Sequence, residues 1–144
     1  VEEKIQALRD FTIDINSNIR LIVESNEHIL IDMNIQDQLY ELGVDRNGID
    51  IFDNIPYTFI TQEYKRSVGQ PADRVTLRDT GDFHRSFKIQ TLSDSFEIYA
   101  TDIKTELLVA KYGDSIMGLT DENIALFAVD YVYPELLKRL KDRL

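Results

Sequence analysis

Apolar residues near the start of the chain recur at three- and four-residue steps. Ile5, Leu8, Thr12, Ile15, Ile19, Ile22 and Val23 fall on one helical face over residues 2–24, the spacing of an amphipathic helix laid on a core. Thr12-Ile13-Asp14-Ile15 interrupts that pattern, because β-branched residues in alternation favour strand over helix. Ser25-Asn26-Glu27 offers a stop and a fresh N-cap. A second helix is expected from Glu27 to Leu42, with Leu30, Met33, Leu39 and Leu42 facing inward and Gly43 as a left-handed cap.

The period then changes. Asp45-Arg46-Asn47-Gly48 reads as a turn. It does not fit a calcium-binding EF-hand loop, since Asp50 stands where the loop glycine is needed and Pro56 where the closing glutamate is needed. Ile49–Phe52 suggests a short strand or extended arm, and Pro56 disfavours helix at Ile55. Thr58–Ser67 suggests a short helix, followed by a loop through Asp73. Phe87-Lys88-Ile89-Gln90 and Phe96–Ala100 alternate apolar and polar positions around a five-residue turn, the pattern of a β-hairpin. Glu106–Lys111 reads as a helix or a further strand. Thr120, followed by Asp121 and Glu122, opens a last helix, with a break expected at Pro134 and basic residues at its end. The expected fold class is α+β in a single domain over residues 1–144. Its helical part reaches about residue 44, and an antiparallel sheet with a C-terminal helix packed on it spans about 75–144.

Composition narrows the options. The 144 residues are 43% hydrophobic and 29% charged, enough to build one core. No stretch is long and apolar enough to span a bilayer, so no membrane partner is expected. The acidic N-terminus, which lacks a Met, does not resemble a secretory leader. With no cysteine there is no disulfide, no thiolate nucleophile and no cysteine zinc site. The net charge is −10, and it is uneven. Residues 1–61 carry 4 basic and 12 acidic side chains, residues 62–88 carry 6 and 4, and residues 89–144 carry 6 and 10. Such a field repels phosphate, so tight nucleic-acid binding is not expected.

Catalytic patterns are sparse. There is no phosphate-binding glycine loop and no His-Glu-x-x-His pair. Gly113-Asp114-Ser115-Ile116-Met117-Gly118 has one residue too many for a nucleophile elbow. His28 reads as a surface residue, and His84 has no acidic or imidazole partner at a helical spacing. No catalytic residue, metal ligand or cofactor is assigned, and an enzyme is not expected.

The sharpest local motif is Leu77–Ile89. Gly81 supplies a turn, Asp79 and Thr80 offer acceptors to the amides that follow, and Phe83 and Phe87 share a side if the segment is helical. Arg78, Arg85 and Lys88 then project outward as a candidate interface with an acidic partner surface.

Three further segments lie in a suggestive order around it. These are Gln38–Gly48, Lys111-Tyr112-Gly113 and Met117-Gly118-Leu119-Thr120-Asp121-Glu122-Asn123. Together with Thr80-Gly81-Asp82-Phe83-His84-Arg85-Ser86-Phe87 they resemble the tail-completion and virion-morphogenesis proteins of tailed bacteriophages. The Pro-Arg pair that often precedes the Leu-Gly-Leu segment there is Ser115-Ile116 here. The resemblance marks Thr80, Gly81, Phe83, Ser86, Phe87, Tyr112, Gly113, Gly118 and Leu119 as structural positions. It implies a neck subunit joining the head connector to the tail. Such a subunit would form a cyclic homo-oligomer with other virion proteins, around a channel through which DNA passes without sequence-specific binding. It also implies synthesis in the bacterial host cytoplasm and residence in the virion neck or tail. Two other classes compete: a non-viral intracellular binding or regulatory module, and a small metal-dependent hydrolase built on acidic residues.

Overall fold

A computed structural model describes all 144 residues and gives an α+β fold. Helix α1 (Glu2–Ile13) runs into α2 (Ile15–Ser25) through Asp14, where the β-branched stretch interrupts the winding. The apolar stripe expected along residues 2–24 is therefore buried only in its second half. Ile22 and Val23 are in the core, whereas Ile5 and Leu8 are exposed, and α1 buries Phe11 instead.

Helix α3 (Glu27–Asp32) continues over Met33–Leu42 in a wider, π-type winding. It ends as expected at Gly43 (φ 65°), whose N–H donates to Leu39 O, while the Val44 N–H reaches back to Gln38 O. The wider turn shifts side-chain phase, a common correlate of function in π-helical segments. Leu30 and Leu39 are fully buried and Met33 packs on the core, but Leu42 is turned out to solvent.

The Ile49–Phe52 segment is not a strand. Val44 and Asp50 form an isolated bridge around the turn, and Asp50 then caps one turn of helix, α4 (Ile51–Asn54), by accepting from the N–H groups of Phe52 and Asp53. An aspartate before an apolar pair is an N-cap signal that outweighs the β-propensity of two isoleucines. Helix α5 (Phe59–Ser67) starts where Thr58 accepts from the Thr61 N–H, and α6 (Asp82–Arg85) is a single turn after Gly81. The hairpin pairs β1 (Phe87–Thr91) with β2 (Phe96–Ala100), Phe87 opposite Ala100 and Thr91 opposite Phe96.

Helix α7 (Thr105–Tyr112) resolves the ambiguity at Glu106–Lys111 in favour of helix. Helix α8 (Asp121–Phe127), capped by Thr120, widens over Ala128–Val132 and continues as α9 (Tyr133–Arg143). Pro134 is the second residue of α9, inside a helix that runs unbroken through Ala128–Val132. The widened turns before it absorb the break expected there. Helix α9 runs antiparallel along α1 and α2, with Arg143 over the Phe11 ring and 3.6 Å from Asp14, and Arg139 donating to Asn18.

The hairpin packs through β1 on α2 and α3. Its tip is tied to α2 by the Thr91 hydroxyl, which donates to Glu24 at 2.8 Å. A single core joins Leu30, Leu39, Val75, Phe83, Phe87, Ile98, Ile116 and Phe127, so the helices, the hairpin and the long loops share one interior.

Candidate functional site

Two of the segments marked by resemblance meet in space, and buried amides join them. Asn34 and Gln38 lie one turn apart on the inner face of the π-wound helix, 0% and 1% exposed. Asn34 donates to Ile116 O at 3.1 Å and accepts from the Gly118 N–H at 2.8 Å. Gln38 donates to Gly118 O at 2.9 Å and accepts from the Thr120 N–H and the Asn123 side-chain amide at 2.9 and 2.8 Å. Each amide therefore reads the backbone of the 116–120 loop from both its donor and its acceptor end. A buried amide so satisfied is specific, because any slip in register leaves polar groups unpaired.

The 45–48 turn docks on the same loop. The carboxylate of Asp45 accepts from the N–H groups of Asn47 and Ile49 through Oδ1, and from the Ser115 hydroxyl through Oδ2 at 3.0 Å. The Arg46 N–H donates to Ser115 O, and its guanidinium lies 3.4 Å from the carbonyls of Asp114 and Met117. Gly118 (φ 129°) lies beneath that side chain, where a Cβ would come 2.9 Å from Arg46 Cδ. Gly113 ends α7, Tyr112 packs on the core from that helix, and Leu119 is buried beside them.

The Thr80–Phe87 segment forms a second unit. Gly81 takes φ 91°, an angle that calls for glycine, whereas the space above it is bounded only by the movable tip of the exposed Arg85 side chain. The Asp82 N–H reaches the Thr80 hydroxyl. Phe83 and Phe87 are each 3% exposed, their rings edge to face at 5.0 Å. Ser86 closes the base of the hairpin, its hydroxyl donating to Phe83 O and accepting from the Thr101 N–H. No hydrogen bond joins this unit to the 113–123 loop, though both feed the same core.

Beneath it lies a polar cluster the sequence did not announce. The carbonyls of Thr76, Arg78 and Asp79 are met by His84 Nε2 at 2.9 Å, Lys65 Nζ at 2.7 Å and Gln70 Nε2 at 3.0 Å. Between them Leu77 holds φ 56°, a left-handed conformation that is costly for a branched side chain. Since a carbonyl only accepts, the His84 proton sits on Nε2. Burial drives its pKa down from 6.5 to about 4. Burial likewise lowers the Lys65 ammonium and raises the Tyr57 phenol, whose oxygen accepts from the Thr76 N–H. Lysine and histidine here are struts of a strained loop. For Lys65 the available signal was its place four residues after Thr61, on the face of α5 opposite Ile60 and Tyr64; His84 had none.

Arg78, Arg85 and Lys88 all face solvent, as expected. Arg78 lies over the Tyr40 ring at 5.3 Å, Arg85 pairs with Asp82, and Lys88 makes no ion pair. His28 is exposed. No three His, Asp or Glu side chains converge, and no helix is long and apolar enough to cross a membrane.

The outer surface is the least satisfied part of the molecule. Twenty-three large apolar side chains are exposed against fifteen buried apolar ones. Prominent among them are Phe59 (74%), Ile60 (80%) and Tyr64 on α5, and Leu126, Val129 and Tyr133 on the C-terminal helix. Beside the latter lies a groove of about 790 Å³, between α2, the tip of the hairpin, and α8 with its continuation.

Comparison with protein-family models, with curated proteins and with solved structures finds no match.

Proposed function

We propose that the protein is a structural subunit of a tailed-phage neck, closing the joint between head connector and tail as part of a ring around the DNA channel. The observation that carries the assembly part of this reading is exposed area. A compact monomer of 16.7 kDa exposes roughly 7,600 Å² by the usual scaling of surface with mass, whereas this chain exposes 9050 Å². The surplus of roughly 1,400 Å² marks a less compact outline, and it goes with the many large apolar side chains left exposed, the kind of surface that assembly covers.

Resemblance supplies the viral class, through the Gln38–Gly48, Thr80–Phe87 and Lys111–Asn123 segments. The first and last of these are the ones that Asn34, Gln38, Asp45 and Arg46 lock together, so the matched residues act as a packing unit. The acidic balance suits a channel wall, since carboxylates give passing phosphates no counterion-release gain and DNA slides without sticking. On this reading Arg78, Arg85 and Lys88 face acidic groups on a neighbouring subunit or neck protein. The test is complementation of a phage lacking the gene. Changing Arg78 and Arg85 together to Glu should leave the chain folded and block its incorporation into virions, whereas normal tail attachment would remove that surface from the interface.

A further inference from the structure

The C-terminal helix carries an exposed apolar face that is flanked by unpaired charge. Leu126, Val129, Tyr133 and Leu137 are each more than half exposed. Glu122 and Lys141, also exposed, continue the same three- and four-residue steps at either end. From Glu122 to Lys141 is 19 residues, one more than the roughly 18 of five α-helical turns. The wider winding over Ala128–Val132 takes up the extra residue, so the six side chains form a stripe along the helix axis instead of drifting round it. The inner face is committed, with Phe127 and Val132 buried in the core. Charge is divided along the helix, with Asp121, Glu122 and Asp130 towards its start and Lys138 and Lys141 towards its end. All five are exposed, and none takes part in the seven ion pairs of the chain.

We propose that this stripe docks on the same stripe of a second copy, the two helices running antiparallel about a two-fold axis. Charge and spacing together select that occupant. In an antiparallel pair centred between Tyr131 and Val132, Leu126 of one copy lies opposite Leu137 of the other, and Glu122 opposite Lys141, each contact occurring twice. Apolar positions then meet apolar ones and the acidic end meets the basic end. A parallel pair would instead set Glu122 against Glu122 and Lys141 against Lys141. The exposed apolar face of α5 offers no such complement, because Lys65 is buried and Arg66 is paired with Glu63. One helix laid on another covers less than the roughly 800 Å² per partner of a standard interface, so the pairing is weak and depends on concentration. The contact is isologous and closes at two chains. A ring needs a further surface, so the inference stands apart from the neck reading.

The chain contains no cysteine, so cysteines introduced on the stripe report its register. Leu126→Cys and Leu137→Cys variants, mixed and oxidised, should give several-fold more disulfide dimer than either variant alone. In the antiparallel pair two copies of position 126 lie 11 residues apart along the axis, roughly 16 Å, beyond the roughly 7 Å between Cα atoms that a disulfide bridges. Charge gives a second readout, by sedimentation equilibrium. Glu122→Lys and Lys141→Glu, each alone, should weaken dimerisation several-fold, because both 122–141 contacts then join like charges. An equimolar mixture of the two variants should restore it, since every contact between unlike chains again joins opposite signs. A fold lost in either variant could not be recovered by mixing. Richer 126–126 and 137–137 products than 126–137 would overturn the antiparallel pair, as would a mixture that dimerises no better than its components. If those results come while light scattering still finds multimers, the docking falls and the neck reading stands. If the unaltered chain is monomeric at every concentration and no cross-link forms, both fall.

Discussion

At Gly81 the backbone itself sets the requirement, a φ of 91°, since the Arg85 guanidinium near an added Cβ is the movable end of an exposed side chain. Gly81→Val should therefore cost about 1 kcal/mol or more in a denaturant melt, and an unchanged midpoint would mean the turn tolerates rearrangement. His84 makes a second prediction at this scale. Its folded pKa of about 4 lies below the unfolded value of 6.5, so the unfolded chain binds more protons between those values. Stability is then full above about pH 6.5 and falls with pH towards 4, by about 2 kcal/mol between pH 7 and 5. His84→Gln keeps a donor for Thr76 O and removes the titration, so its loss over that range should be smaller by about that amount. An identical slope in both proteins would contradict the burial of a neutral imidazole. The positive φ at Gly81 and the pairing of Phe83 with Phe87 were legible in the sequence, because glycine after Asp-Thr and aromatics four apart are local signals. The Leu77 strain was not, since it is imposed by His84, Lys65 and Gln70 arriving from both sides in sequence.

Among the elements, the hairpin at 87–100 and the helices at 27–42, 59–67 and 121–143 follow directly from periodicity and caps. What periodicity misplaced was phase. A wider winding over Met33–Leu42 turns Leu42 outward and brings Asn34 and Gln38 inward, and a reading on a 3.6-residue period puts such amides at the surface. Two amides four residues apart between apolar neighbours were the available clue. Similarly, Ile49–Phe52 lost to the capping carboxylate of Asp50, a side-chain effect stronger than the strand tendency of the isoleucines. Gln38 is the element-scale test of the clamp. Gln38→Leu fills the same space but leaves the Gly118 carbonyl, the Thr120 N–H and the Asn123 amide without partners, which should cost about 2–4 kcal/mol. Hydrogen exchange at the Gly118 and Thr120 amides should quicken in the same variant. A loss below about 0.5 kcal/mol would mean that packing, and not the amide, fixes the loop.

For the whole molecule, the separation of roles is clear in the distribution of surfaces. The interior is one core shared by helices, hairpin and loops, and the motif residues serve it. The exterior keeps Phe59, Ile60, Leu107, Leu126 and Val129 more than half exposed, a pattern that composition alone could not reveal, because 43% apolar content is ordinary for a compact monomer. Surface electrostatics should govern how copies meet. Replacing Arg78 and Arg85 by Glu should slow association and weaken its salt dependence more than it alters the final affinity, measurable by stopped-flow light scattering at two ionic strengths. Equal rates for the variant and the unaltered chain would place those arginines outside the contact. A neck subunit must assemble with copies of itself. Its mass by light scattering, measured over a wide concentration range, tests that directly. The expected result is growth from 16.7 kDa to a single closed multiple. A mass that stays at the single-chain value throughout would contradict it.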